Sequence, residues 1–162
     1  MLRYFIPVAL LILLNFFACQ KADTLTASEK EAIKSGVQQM LQDYCAAVRA
    51  GGLSAEFKYL DESPEFFWVP PGYSSWLPYD SVAAILKKNA LAFRAIDNAW
   101  VTLRIDPLTH EYATYTGTLH GTTIDTAGSV IKYTLLETGV VVKRKAGWKL
   151  LRGHSSVAPE KP

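Results

Sequence analysis

Three spacings of apolar residues succeed one another along the chain. From Tyr4 to Ala18 the apolar run is almost unbroken. From Ile33 the apolar positions recur at steps of three and four, and from Trp100 at steps of two. The middle spacing predicts helices. Thr26 with Glu29, or Ser28 with Glu31, offers a capping box. Ile33, Val37, Met40, Leu41, Tyr44 and Val48 then form one stripe, which Gly51-Gly52 ends. A short helix is expected over Ser54 to Leu60. Phe66-Phe67-Trp68-Val69 reads as a brief strand that breaks at Pro70-Pro71-Gly72, where the prolines have no N–H for a ladder. Asp80 or Ser81 would cap a further helix, with Val82, Ile85, Leu86, Ala90 and Phe93 on its apolar face.

The last spacing predicts strands at Trp100 to Ile105, Tyr112 to Ile124, Val130 to Arg144 and Trp148 to Ser155. Asp106-Pro107, Thr126-Ala127-Gly128 and Lys145-Ala146-Gly147 supply the breaks. Helices followed by a meander of long strands give an α+β plan, one helical layer against one bent antiparallel sheet.

The first run reads as an address. It follows a single charge, Arg3, and its 15 residues fall short of the roughly 20 that span a bilayer as a helix. Phe16-Phe17-Ala18-Cys19 resembles a bacterial lipobox. That resemblance implies cleavage before Cys19, a lipid on its sulfur, and a site on the periplasmic or cell-surface side of a membrane. Residues 1–18 are then a signal peptide and 19–27 the lipidated Cys and tether. A signal cut nearby without lipidation, or an uncleaved anchor, are the alternatives.

Composition narrows the partners. The chain has 162 residues, 49% hydrophobic and 20% charged, enough for one domain with one core. Lys and Arg total 17 against 15 Asp and Glu, so the basic footprint of a nucleic-acid binder is missing. With Cys19 acylated, Cys45 is alone among Ala46, Ala47 and Val48. It reads as a small buried apolar residue, and the domain has no disulfide framework.

Two passages resemble the nuclear transport factor 2-like superfamily, in particular its SnoaL-like members. Tyr44-Cys45-Ala46-Ala47-Val48-Arg49-Ala50-Gly51-Gly52-Leu53 is similar to the family's first helix and the bend that closes it. Gly147-Trp148-Lys149-Leu150-Leu151-Arg152-Gly153-His154-Ser155-Ser156 is similar to its last strand. The resemblance covers residues 28–157 and leaves 158–162 as a tail. It implies a cone-shaped fold in which a strongly curved sheet wraps the first helix and leaves a pocket, and it implies frequent homodimers formed through the sheet. Members include ketosteroid isomerase, scytalone dehydratase, polyketide cyclases and non-enzymatic binders, so the fold alone selects no activity.

The resemblance places Tyr44 where ketosteroid isomerases hold an oxyanion-donating tyrosine. The isomerase's carboxylate base belongs on the first strand, but that strand reads Trp68-Val69-Pro70, and the nearest carboxylate, Glu65, is displaced along and across it. Trp68, Tyr73, Trp76 and Tyr79 flank the Pro-Pro-Gly turn and are candidates for an aromatic pocket wall. On the last strand, alternation puts Leu150, Arg152 and His154 on one face and Leu151, Gly153 and Ser155 on the other. Arg152 and His154, with Arg104, are candidates to bind a carboxylate.

His120 and His154 are candidate bases, and His110 follows a turn. Three His with no two closer than ten residues give no metal-ligand spacing. No dinucleotide, phosphate-loop or nucleophile-elbow motif occurs, and no cofactor is expected. The leading expectation is a membrane-anchored lipoprotein binding a small, partly apolar organic ligand. Its alternatives are an isomerase, dehydratase or cyclase using Tyr44 with a His base, and a structural dimerisation module.

Overall fold

The computed structural model describes residues 24–159. Cys19 and the whole of the apolar leader lie outside them. Helix α1 (Ala27–Gly51) starts at the Thr26–Glu29 pair. The Glu29 backbone N–H donates to the Thr26 hydroxyl, and the Thr26 backbone N–H donates to the Glu29 carboxylate at 2.8 Å. Two otherwise orphaned donors are thereby satisfied. The helix buries Ile33, Val37, Met40, Leu41, Cys45 and Val48, and ends where Gly52 adopts φ 68°.

A short 3₁₀ helix (Leu53–Lys58) replaces the expected helix to Leu60. Strand β1 (Phe67–Val69) follows, then α2 (Tyr79–Ala90). The cap of α2 is Pro78. Neither Asp80 nor Ser81 caps it: the chain is already extended at Pro78, so Asp80 falls in the first turn, where its charge faces the positive end of the helix dipole.

The sheet holds β2 (Phe93–Pro107), β3 (Tyr112–Asp125), β4 (Val130–Arg144) and β5 (Gly147–Val157) in the order β1-β5-β4-β3-β2. Strand β1 runs parallel to β5 and the other pairs are antiparallel. The architecture is α+β, an N-terminal helix laid on a five-stranded, mostly antiparallel sheet. Phe93, expected on α2, instead begins β2. The helix stops at Ala90, because Ala92 and Phe93 already belong to the turn and the ladder.

Of the three register shifts in this sheet, one lies at the start of β2, between Phe93 and Ala95, and two fall midway along its strands. In β2 the register slips between Trp100 and Thr102, and in β5 Arg152 pairs with Val140 while Leu150 pairs with Val141, leaving Leu151 as the extra residue. Each bulge reverses which residues face inward. Beyond them Leu103, Ile105, Ala113, Tyr115, Val141, Trp148 and Leu150 pack with Ile33, Val37, Met40 and Leu41 of α1 into the core. On the near side the sheet curves away from α1, and this second half is hollow.

Candidate functional site

The hollow is a cavity of about 610 Å³. Its sheet wall is built by inward positions at steps of two: Ile96 and Asn98 on β2, Leu119 and Thr123 on β3, Ile131, Tyr133, Leu135 and Glu137 on β4, Ser155 and Val157 on β5. Val82, Ile85 and Leu86 of α2 close the opposite side. Leu53, Leu60, Phe66, Trp68, Pro70 and Pro71 complete the apolar wall, and Tyr44 of α1 and Glu56 of the 3₁₀ helix project into it.

Missing side chains make room for the polar part of this wall. The Tyr133 ring crosses Gly121, and its hydroxyl donates to Asn98 Oδ1 at 2.8 Å. The Trp68 ring lies on Gly153, and its Nε1–H donates to Ser155 Oγ at 3.0 Å. The Tyr115 ring lies over Gly139, with its edge 2.8 Å from where a Cβ would sit, and its hydroxyl donates to Glu137 Oε1 at 2.7 Å. Any Cβ at Gly121 or Gly153 would occupy space the ring already fills.

The donors converge. Ser155 passes the hydrogen-bond chain on by donating to Glu137 Oε2 at 3.0 Å, so Glu137 accepts from two side chains at once. Burial nonetheless raises its carboxyl above the ordinary range, the Tyr115 and Ser155 hydrogen bonds pulling the other way. Burial, reinforced by the Glu137 charge and opposed by the neighbouring Tyr44 phenol, pushes the Glu56 carboxyl up to about 7. Burial, with both carboxyls nearby, raises the Tyr44 phenol well above its ordinary value, so it stays protonated. The Tyr44 ring is set edge-on to Tyr59, centroids 5.6 Å apart.

Of the residues singled out from the sequence, Tyr44 and Trp68 line the cavity. The others lie elsewhere. Trp76 is 63% exposed and leans on Phe67 from outside; Tyr73 is exposed on the turn after Pro71; Tyr79 donates to Glu62. Arg104 faces outward because Leu103 and Ile105 take the inward positions, and it pairs with Asp106 at 2.8 Å. His120 is exposed on the outer face of β3.

Arg152 and His154 also face outward, and the Leu151 bulge is the reason. Strict alternation would set them beside Leu150, but the extra residue moves Ser155 to the inner face and turns both side chains out. Arg152 spans the outside of β1, stacking on Phe67 and donating to the Glu65 carbonyl at 3.1 Å.

Glu56 and Glu137 went unnoticed in the sequence. A signal for Glu137 exists, since it continues the inward series Ile131, Tyr133, Leu135 at steps of two, a carboxylate on an apolar strand face. None marks Glu56, which sits in a 3₁₀ helix too short to show a periodic face. Among the described residues no cluster of three or more His, Cys, Asp or Glu is arranged to hold a metal ion.

A profile of the family described as SnoaL-like domain matches residues 37–160. No curated protein matches the chain. Solved structures share its fold. A nuclear transport factor 2-like superfamily protein from Salmonella enterica serovar Typhimurium aligns with TM-score 0.68 at 15% identity, over 82% of this chain and 95% of that one. Hexachlorocyclohexane dehydrochlorinase LinA-type3 from Novosphingobium barchaimii aligns with TM-score 0.66 at 11% identity, over 85% and 94%. A protein of cystatin-like fold from Caulobacter vibrioides aligns with TM-score 0.62 at 16% identity, over 78% and 90%. At these identities the likeness is one of fold.

Proposed function

The chain belongs to the SnoaL-like domain family, and from that premise we propose that it is a membrane-tethered binding protein whose cavity takes up a small, partly apolar organic molecule. The observation that carries this is the cavity itself. Its volume of about 610 Å³ lies within the range of small-molecule sites, and its apolar wall surrounds a few converging polar groups. The tether is the lipid expected on Cys19, which places the domain on the periplasmic or cell-surface side. Among the described residues no helix is long and apolar enough to cross a membrane. A homodimer would use the outer face of the sheet, where Val101 and Leu136 are exposed.

A thermal-shift screen tests the binding role on the chain from residue 24 onward. A ligand that fits raises Tm, because it binds the folded state alone. Failure of every ring-sized amphiphile to do so counts against binding. Metabolic fatty-acid labelling tests the tether: Cys19→Ser abolishes the label, and a label that persists refutes lipidation.

A second reading, a proton-transfer enzyme of isomerase or dehydratase type, has one observation in its favour: Glu56, held near neutral, stands beside the Tyr44 phenol. The base would then be Glu56. His120 and His154 stand on the outer face, away from the cavity. Turnover of an enolisable or eliminable ring substrate that is lost in Glu56→Gln would establish this reading.

A further inference from the structure

The cavity holds two carboxyls and no cation to meet them. Neither Glu56 nor Glu137 has an ion-pair partner among the described residues. Among the described residues Lys132 is the only basic one in the cavity lining, and it is exposed at the mouth, five strand positions or about 17 Å along β4 from Glu137. Arg49 and Arg144, on neighbouring elements, are already paired with Asp97 and Asp61. Buried charges in proteins are ordinarily paired, because a carboxylate loses its hydration on burial and must recover it from a partner.

The hydrogen-bond directions sharpen the point. Trp68 donates to Ser155, Ser155 donates to Glu137, and Tyr115 donates to Glu137. Those protons are committed, and the Tyr44 hydroxyl is engaged with Glu56, so above pH 7 this end of the cavity offers acceptors: the remaining lone pairs of Glu137 and of the Glu56 carboxylate. A ligand carboxylate would meet like charge and no free cationic donor there.

Resting on the binding role proposed above, we infer that the occupant is a cationic amphiphile, an apolar ring or chain framework bearing a protonated amine that pairs with Glu137 and Glu56. The ammonium supplies the missing counter-charge, and its several N–H donors match the acceptors that converge at this end of the cavity. The hydrocarbon part fills the space between α2 and the sheet. This reverses the ligand charge expected from the sequence, where Arg152, His154 and Arg104 were to bind an acid; all three face outward.

Three probes of equal ring size separate the possibilities: naphthylmethylamine, naphthylmethanol and naphthoate. Residues 24–159 carry every element described above, so the chain from residue 24 is titrated with each by calorimetry at pH 8. The amine binds at least tenfold more tightly than naphthoate. Its advantage over the alcohol collapses in the double variant Glu56→Gln/Glu137→Gln, whose fold is checked by circular dichroism. Naphthoate binding as tightly as the amine to the native protein overturns the inference with no variant needed. So does an amine preference that survives in the double variant. If alcohol and acid bind while the amine does not, the ligand charge is wrong and the binding role stands. If none of the three binds, the binding role fails and the inference with it.

Discussion

Glu56 works against the stability of the fold at neutral pH. Its carboxyl titrates near 7 in the folded chain and near its ordinary 4.5 when unfolded, so the folded state binds more protons between those values. Stability attributable to this group therefore falls as pH rises from about 4.5 to about 7. Glu56→Gln removes the penalty. Chemical denaturation is expected to show the variant more stable at pH 8, by up to about 3 kcal/mol, with the gain shrinking toward pH 4.5.

Asp61 behaves oppositely. It is 6% exposed and accepts two hydrogen bonds from Arg144 at 2.8 Å, which hold its carboxyl below the ordinary 3.8. Its contribution is present above that value and disappears as pH falls through the lowered one. Arg144→Leu leaves the carboxylate buried and unpaired, at a cost of about 2 kcal/mol at neutral pH, measurable by the same denaturation. Cys45 is buried and its thiol raised to about 11, chiefly by burial. An aromatic disulfide reagent is expected to leave it untouched in the native chain and to react on unfolding.

At this scale the sequence was legible wherever a residue's role followed from its own element. Tyr44 could be found because the family resemblance marks it and the helical spacing puts it on the apolar stripe of α1. Glu137 could not be assigned a role, because its inward direction depends on the ladder and its significance on Tyr115 and Ser155 arriving from other strands.

The long elements were readable for the same reason. The α1 stripe and strands β3 and β4 follow from spacing and turn residues alone, whereas the Thr26–Glu29 cap was one of two capping boxes that the spacing offered. Bulges left no such mark. Val101 and Leu151 look like ordinary strand residues, yet the slips beside them reverse the facing of everything that follows, and that is why Arg152 and His154 stand outside while Ser155 stands inside.

The glycine-and-ring pairs are a second device written between elements rather than within one. Gly153→Val puts a branched side chain where the Trp68 ring lies, so β1 must move away from β5. The expected outcome is loss of the Trp68–Ser155 hydrogen bond and at least a tenfold fall in ligand affinity, read by calorimetry. The outward substitution Thr116→Val serves as a control that leaves affinity unchanged.

For the whole molecule, the decisive division is between a packed half and an open half of one sheet. The packed half carries the stability; the open half carries the cavity and tolerates buried carboxyls that a close-packed core would expel. The two halves lie at opposite ends of α1. Its first turn sits beside the β2–β3 hairpin, where Glu29 approaches His110 at 3.9 Å, whereas the mouth lies at the other end of the sheet, among Ile131, Pro71 and Val157. At most about 18 Å of extended chain separates Cys19 from Thr24. With Cys19 lipidated as proposed, the domain would stand with its foot at the hairpin and its opening turned toward the water. On that proposed arrangement the cavity would fill from the aqueous compartment, and adding phospholipid vesicles should leave the affinity for a water-soluble amine unaltered.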